Sequence, residues 1–203
     1  MQQRTEEWLD SRSGHITASA AKLLVTSRGE KTSGTTRESH IYHLAAERVA
    51  MKALDVWDGT AAMKIGTERE AAAREMFCSI MDVEIEEVGF VKMEGHIIGC
   101  SPDGVFNNTG LEIKSPKAAT HAKYIVKNKL PTEYMVQVQL TMAVLDLDEY
   151  YFMSYHPDLQ PFIKRVKRDN KFIDKALPVL FADEELIIAT SETIENREIF
   201  NDV

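Results

Sequence analysis

The chain has 203 residues, 44% apolar and 28% charged, which fits one folded domain and excludes a disordered or collagen-like chain. Its Gly (10) and Pro (6) are scattered, so no long flexible linker is expected, and no apolar run approaches the roughly 18 residues of a membrane span. The formal charge of −8 argues against wholesale phosphate neutralisation by the surface, and equally fits carboxylates gathered to hold cations.

The stretch Met1–Glu7 has no apolar core behind a basic head, so no secretory signal is expected. Cys78 and Cys100 sit in apolar stretches and make no disulfide framework, which points to a reduced compartment, the cytoplasm. Residues 5–12 read as a short helix. Thr17 or Ser19 is placed to cap a further helix over 20–24. Residues 27–36 are polar and form a loop. Thr35-Thr36-Arg37-Glu38 reads as a capping box that starts a helix to about Leu54, with Ile41, Leu44, Ala45 and Val49 on its inner side. Another helix is expected over 67–81.

Past Asp82 the texture changes. Segments 87–93, 96–100, 105–106 and 111–115 are short and apolar or alternating, with turn residues between them, and read as strands. A helix from 132 or 133 to 147 follows, then strands over 150–155 and 162–166. From Asp169 the pattern is helical, interrupted at Pro178. The expected fold is α/β: a mixed central sheet flanked by helices, in a single domain over 1–203, with a core over about 5–166 and a helical segment over about 167–203.

The most informative stretch runs from Ser101-Pro102-Asp103-Gly104 to Leu111-Glu112-Ile113-Lys114. With Asn107–Gly110 as the turn, Phe106 pairs with Leu111, Val105 with Glu112 and Asp103 with Lys114. Side chains alternate along strands, so Asp103, Val105, Glu112 and Lys114 share one face. Asp103 and Glu112 become diagonal neighbours, roughly 7–8 Å apart at the backbone. Such carboxylates repel unless neutralised, and a hard cation such as Mg²⁺ suits them. Lys114 is placed to orient or deprotonate an attacking water, the equipment for phosphodiester hydrolysis. The plain alternative is a surface hairpin with an Asp103–Lys114 ion pair. A second acidic-x-Lys tripeptide, Asp169-Asn170-Lys171, lies at a polar helix start and reads as a decoy.

Other positions carry two readings each. Glu70 aligns with Ala73, Phe77 and Ile80, and is either a third acidic group of the site or a partner of Arg74. Gln137 shares a helix face with Tyr134, Val138 and Thr141, and either reaches the site or is a satisfied buried amide. Arg12 ahead of a helix start at Thr17–Ser19 makes a phosphate pocket conceivable. His40, His43 and Glu47 share a helix face but lack a zinc-protease pattern, so a solvated face is preferred. No phosphate-binding glycine loop is present.

These residues occur in blocks: Trp8 with Arg12, Gly14-x-Ile16-Thr17-Ala18-Ser19, Gly66-Thr67-x-x-Glu70, Ser101-Pro102-Asp103-Gly104, Leu111-Glu112-Ile113-Lys114 and Tyr134-Met135-x-Gln137-x-Gln139. In this order they resemble the phage lambda-type exonucleases, or YqaJ-like viral recombinases, within the restriction-endonuclease-like nucleases. The resemblance spans roughly residues 5–156. It implies a 5′-to-3′ exonuclease on double-stranded DNA that releases mononucleotides and leaves 3′ tails for a single-strand annealing protein. It implies Mg²⁺ bound by Asp103, Glu112 and the Ile113 carbonyl, with Mn²⁺ able to substitute and two ions per site. Lys114 would activate water, Glu70 and Gln137 would complete the site, and Arg12, Ser19 and Ser101 would hold the 5′-phosphate. It also implies a ring-shaped homotrimer, whose channel candidates here are Lys117, Lys123, Lys127 and Lys129. An endonuclease on the same fold, a non-catalytic DNA-end-binding module and a simple interaction domain remain the competing readings.

Overall fold

The computed structural model describes residues 3–55 and 61–197. Helix α1 (Glu6–Arg12) starts at Thr5, whose hydroxyl accepts the Trp8 N–H at 3.2 Å. After Gly14 the chain enters β1 (Ile16–Thr17). Helices α2 (Thr35–Ala50) and α3 (Ala61–Met81) follow, then β2 (Val91–Lys92), β3 (Ile98–Cys100), β4 (Gly104–Phe106) and β5 (Thr109–Lys114). Helices α4 (Ala118–Lys127) and α5 (Met135–Leu145) lead to β6 (Glu149–Ser154), β7 (Phe162–Lys167) and α6 (Asn170–Asn196).

Helices flank the strands as the pattern predicts, but the strands divide into two mixed sheets. One has the order β1-β3-β2, the other β4-β5-β6-β7. In the first, β1 is parallel to β3; in the second, β5 is parallel to β6. The break falls at Ser101-Pro102-Asp103, where Pro102 has no N–H to extend the ladder. Helix α5 contacts β3 and β6, one strand from each sheet. It is accordingly apolar nearly all round, with Val136 and Leu140 in one cluster and Val138 and Met142 in another. Ala73 and Phe77 of α3 pack on Leu111, Ile113 and Met153. Among the described residues no helix is long and apolar enough to cross a membrane.

Several local expectations change. The segment after Ser19 is a single 3-10 turn, Ala21–Leu23, with no side-chain cap, because Thr17 is committed to β1. The capping box does not form: Gly34, at φ 97°, is the N-cap, which puts Thr35 inside α2. That helix stops at Ala50, and buried Glu47 replaces Val49 on its inner side. Helix α3 starts earlier than Thr67. Its core stripe continues to Met81, while Ile80 is 51% exposed.

Pro178 does not interrupt α6, which runs 27 residues. Pro178 and Asp174, whose carbonyl loses its partner, are both on the solvent side, where water satisfies that carbonyl. The expected C-terminal helical segment beyond 197 lies outside the described residues. Asp183 and Glu184 of α6 are buried, the first paired with Arg37, the second accepting from the Ile97 N–H at 3.0 Å.

Gly110 fixes the hairpin that follows. A Cβ there would lie 2.1 Å from Cε2 of Tyr150, a fully buried ring. Gly110→Ala is therefore expected to destabilise the fold by about 3 kcal/mol. A urea titration reads this as a lower midpoint, and an unchanged midpoint would refute the close packing.

Candidate active site

The turn between β4 and β5 is Asn107-Asn108, both at positive φ (44° and 58°). Two left-handed residues match the twist of a tight hairpin, and Asn tolerates that conformation. The pairing is Phe106–Thr109, Val105–Gly110 and Gly104–Leu111. This corrects the four-residue turn over Asn107–Gly110 by two positions. An even shift leaves every side chain on its expected face. It brings Asp103 opposite Glu112 instead of Lys114.

Each of these groups has a defined partner. Asp103 N–H donates to the Leu111 carbonyl at 3.0 Å, and Asp103 Oδ2 accepts the Ile113 N–H at 2.6 Å. The Lys114 carbonyl accepts the Tyr155 N–H at 2.8 Å on the β6 side. Successive peptides face opposite edges of a strand, so the Ile113 carbonyl faces the Asp103 side. Glu112 is 2% exposed. Its Oε1 accepts from Lys114 Nζ at 2.5 Å and from Gln137 Nε2 at 2.7 Å. The Tyr134 ring lies 5.4 Å from Lys114 Nζ.

Negative charge is in excess here. Burial, then Glu112, pushes the Asp103 carboxyl up to about 8, against the opposing pull of Lys114 and the Ile113 N–H. Burial draws the Lys114 ammonium down, but Glu112 and Asp103 outweigh it and hold Lys114 above the ordinary lysine value. Lys114 is thus a charged donor in this state. Burial and then Glu112 raise the neighbouring Cys100 thiol to about 12, and the same causes raise Tyr150. A site that disfavours further negative charge on every neighbour suits a cation. Among the described residues no group of three or more His, Cys, Asp or Glu side chains could hold a metal ion. Mg²⁺ asks for less: one or two carboxylates, with water and substrate phosphate completing its shell. Asp103, Glu112 and the Ile113 carbonyl fit that requirement.

Glu70 is the ion-pair partner of Arg74, one of its two expected roles, and stands near Asp103. Arg74 Nη2 donates to its Oε1 at 2.8 Å, and Arg4 pairs with its Oε2. Glu70 is also close enough to raise the Asp103 carboxyl. Arg74 ties the two together by donating from Nε to the Asp103 carbonyl at 3.2 Å. Sequence reasoning offered Arg74 only as an ion-pair partner and did not reach Arg4, for which no periodicity gives a signal.

The Arg12 guanidinium stacks 4.1 Å over the Trp8 ring and donates to Ser19 Oγ at 3.3 Å. Trp8 Nε1 donates to Ser101 Oγ at 3.1 Å. Burial lowers the Arg12 value, and Glu47 opposes that. One cleft of about 260 Å³ is lined by Arg4, Trp8, Arg12, Ser19, Ser101, Asp103, Glu112, Lys114, Gln137 and Thr141. Three cations, two carboxylates and several neutral donors thus face one space. The helix start expected to assist Arg12 is replaced by β1 and the 3-10 turn.

The remaining expectations separate from this cleft. His43 pairs with Glu47 at 3.3 Å, and Glu47 accepts the Gly14 N–H at 2.9 Å, so that helix face is a structural clasp. Asp169 N-caps α6 through the Phe172 N–H, as its reading as a decoy requires. Gln139, unlike Gln137, is a satisfied buried amide between the Lys167 carbonyl and the Asp169 N–H. Lys117, Lys123, Lys127 and Lys129 are exposed on and around α4.

The model of the YqaJ-like viral recombinase domain matches residues 7–148, a span that contains every one of these cleft residues except Arg4. The chain belongs to the YqaJ-like viral recombinase family. Solved structures agree with this assignment. LHK-Exo in complex with dAMP is 29% identical over 94% of this chain and 96% of its own, with a TM-score of 0.85. A second structure of LHK-Exo, an alkaline exonuclease from Laribacter hongkongensis, gives a TM-score of 0.84 at the same identity and coverage. A phage-related exonuclease from Haemophilus somnus 129PT, 15% identical over 89% of this chain and 95% of its own, shares the fold at a TM-score of 0.66. No curated protein matches the chain. This YqaJ-like member therefore has the fold of exonucleases, and its acidic-x-Lys strand lines the cleft.

Proposed function

We propose that the chain is a Mg²⁺-dependent exonuclease that degrades one strand of linear double-stranded DNA from the 5′ end. It releases mononucleotides and leaves 3′ single-stranded tails for phage-type recombination by strand annealing. The observation that carries this reading is the single cleft in which Asp103, Glu112 and Lys114 meet Arg12, Ser19 and Ser101. The match to an exonuclease structure holding dAMP, a mononucleotide, supports it.

In this reading Asp103, Glu112 and the Ile113 carbonyl hold Mg²⁺, or Mn²⁺ in its place, with a second ion sharing Asp103. Bound there, the ions supply positive charge to the attacking and leaving oxygens of the phosphodiester. The protein supplies position. Lys114 donates to the attacking water and to the developing negative charge. Gln137 fixes the Glu112 carboxylate through its 2.7 Å hydrogen bond. Arg12, held flat on Trp8, presents two parallel donors to a terminal phosphate, with Ser19 and Ser101 beside it. Water attacks phosphorus and gives up a proton to solvent, the P–O3′ bond breaks and the 3′-oxygen takes a proton from solvent, and the shortened strand again begins with a 5′-phosphate. The pocket therefore receives the same group after every step.

Digestion of an end-labelled linear duplex, with and without Mg²⁺, tests the reading by showing which strand shortens and from which end. Cleavage of a covalently closed circle would favour an endonuclease instead. Arg12→Ala is expected to reduce the preference for 5′-phosphorylated over 5′-hydroxyl ends by at least about tenfold. Equal preference in the variant and the parent would remove Arg12 from the pocket.

The proposal includes a ring-shaped homotrimer threaded by the duplex, a single-strand annealing protein as partner and the cytoplasm of a bacterial host as location. Enclosure reconciles the charge of −8 with DNA binding, since only the channel needs cations such as Lys117, Lys123, Lys127 and Lys129. Light scattering that returns a monomer would refute the ring.

A further inference from the structure

Resting on the nuclease reading, we propose that Arg4 is a second contact to the nucleic-acid backbone, separate from the Arg12 pocket and parked on Glu70 until a strand enters. Four observations meet at this residue. Arg4 lines the same cleft as Asp103, Glu112 and Lys114. Its side chain stays 45% exposed although it pairs with a carboxylate that is only 13% exposed. Glu70 does not depend on it, because Arg74 bonds the other oxygen of the same carboxylate. Arg4 adopts φ 68°, a left-handed conformation that a long side chain rarely takes.

The neighbouring residue fixes that conformation. The Gln3 side-chain amide donates to the carbonyls of Val88 and Pro102 at 2.9 and 2.8 Å. On the other side Thr5 caps α1. Arg4 is thus held between two anchors, and its side chain lines the cleft while paired with Glu70. Backbone strain of this kind persists where the surroundings over-determine it. A purely structural pairing with Glu70 would not need it, since Arg74, which also pairs with Glu87, already holds the other oxygen of that carboxylate.

The ligand chemistry follows from the donor. A guanidinium matches the two oxygens of a phosphate, and a phosphate strand brings more negative charge than Glu70 alone. Arg4 precedes the N-cap of α1 and Arg12 closes that helix, so the two guanidiniums start from its opposite ends and meet different phosphates. The exchange leaves Glu70 paired with Arg74 and adds one phosphate contact to the complex.

Counterion release gives a readout that a structural role does not move. Binding of a 5′-phosphorylated linear duplex is measured by fluorescence anisotropy in EDTA across a salt series. Arg4→Ala is expected to weaken binding and to reduce the slope of log K against log[salt] by about 0.9. Arg4→Lys, which keeps the charge, should restore the slope. Arg4→Gly suits the positive φ, so it removes the guanidinium without threatening the fold, and should behave as Arg4→Ala does. Parental slopes in both Arg4→Ala and Arg4→Gly, with the parent binding and digesting DNA normally, overturn the Arg4 contact alone. A parent that neither binds nor digests DNA overturns the nuclease reading and this inference with it.

Discussion

Lys114→Ala should lower the rate of DNA digestion by about 10²–10³-fold, the usual loss when a donor aimed at developing charge is removed. Binding of DNA ends should survive, because Arg12, Ser19 and Ser101 lie on other elements. Lys114 stands on β5, fixed by five paired positions with β6, and its Nζ reaches Glu112 at 2.5 Å. The variant leaves Glu112, 2% exposed, with Gln137 as its remaining side-chain donor. Metal-free Lys114→Ala should therefore be less stable than the parent at pH 8, and Mg²⁺ should restore most of the loss. Single-turnover digestion together with thermal melts in EDTA and in Mg²⁺ checks both halves. A variant that digests at the parental rate removes Lys114 from the mechanism.

Asp103→Asn carries the second large effect, and it runs in opposite directions for stability and activity. Digestion should be lost, since a carboxylate proposed to bind the cation is gone. Stability without metal should rise. The Asp103 carboxyl stands at about 8 in the folded chain, raised first by burial and then by Glu112. Between the ordinary aspartate range and about 8, the folded chain keeps a proton that the unfolded chain has released. Stability therefore falls as pH rises through that window, by up to about 1.4 kcal/mol per pH unit. Asn removes this dependence, while its Oδ1 can still accept the Ile113 N–H. The gain should be near zero at pH 4 and grow to several kcal/mol by pH 8. Saturating Mg²⁺ should shrink the gain, because the cation stabilises only the parent's carboxylate. Melts in EDTA at pH 5 and pH 8 that give equal gains would contradict the electrostatic account.

Stability and function oppose each other at this site for one reason. The fold gathers Asp103, Glu112 and Glu70 where burial and neighbouring carboxylates disfavour the Asp103 charge, and holds them with Lys114, Arg74 and Arg4. Those cations are only partial substitutes for a compact divalent ion. On the nuclease reading, the proposed cation would relieve the same crowding.

The sequence by itself determined the parts that depend on local chemistry. Alternation along two short strands placed Asp103, Glu112 and Lys114 on one face, and that result survived a misplaced turn because the slip was even. The helical repeat through Ala73 and Phe77 turned Glu70 inward toward Asp103, and the face shared with Tyr134 and Thr141 brought Gln137 to Glu112. Ordered blocks of residues pointed to the family. Only the tertiary structure decided the rest. Whether Pro178 breaks a helix depended on which side of α6 meets water. Whether Thr35 caps α2 depended on where Gly34 turned the chain. The strands parted into two sheets because Pro102 cannot extend a ladder. Arg4 and Trp8 reached the cleft, and Arg74 the Asp103 carbonyl behind it, through long-range contacts that no spacing along the chain encodes. Periodicity records which face a residue occupies; it does not record what the opposite wall of a cleft brings to meet it.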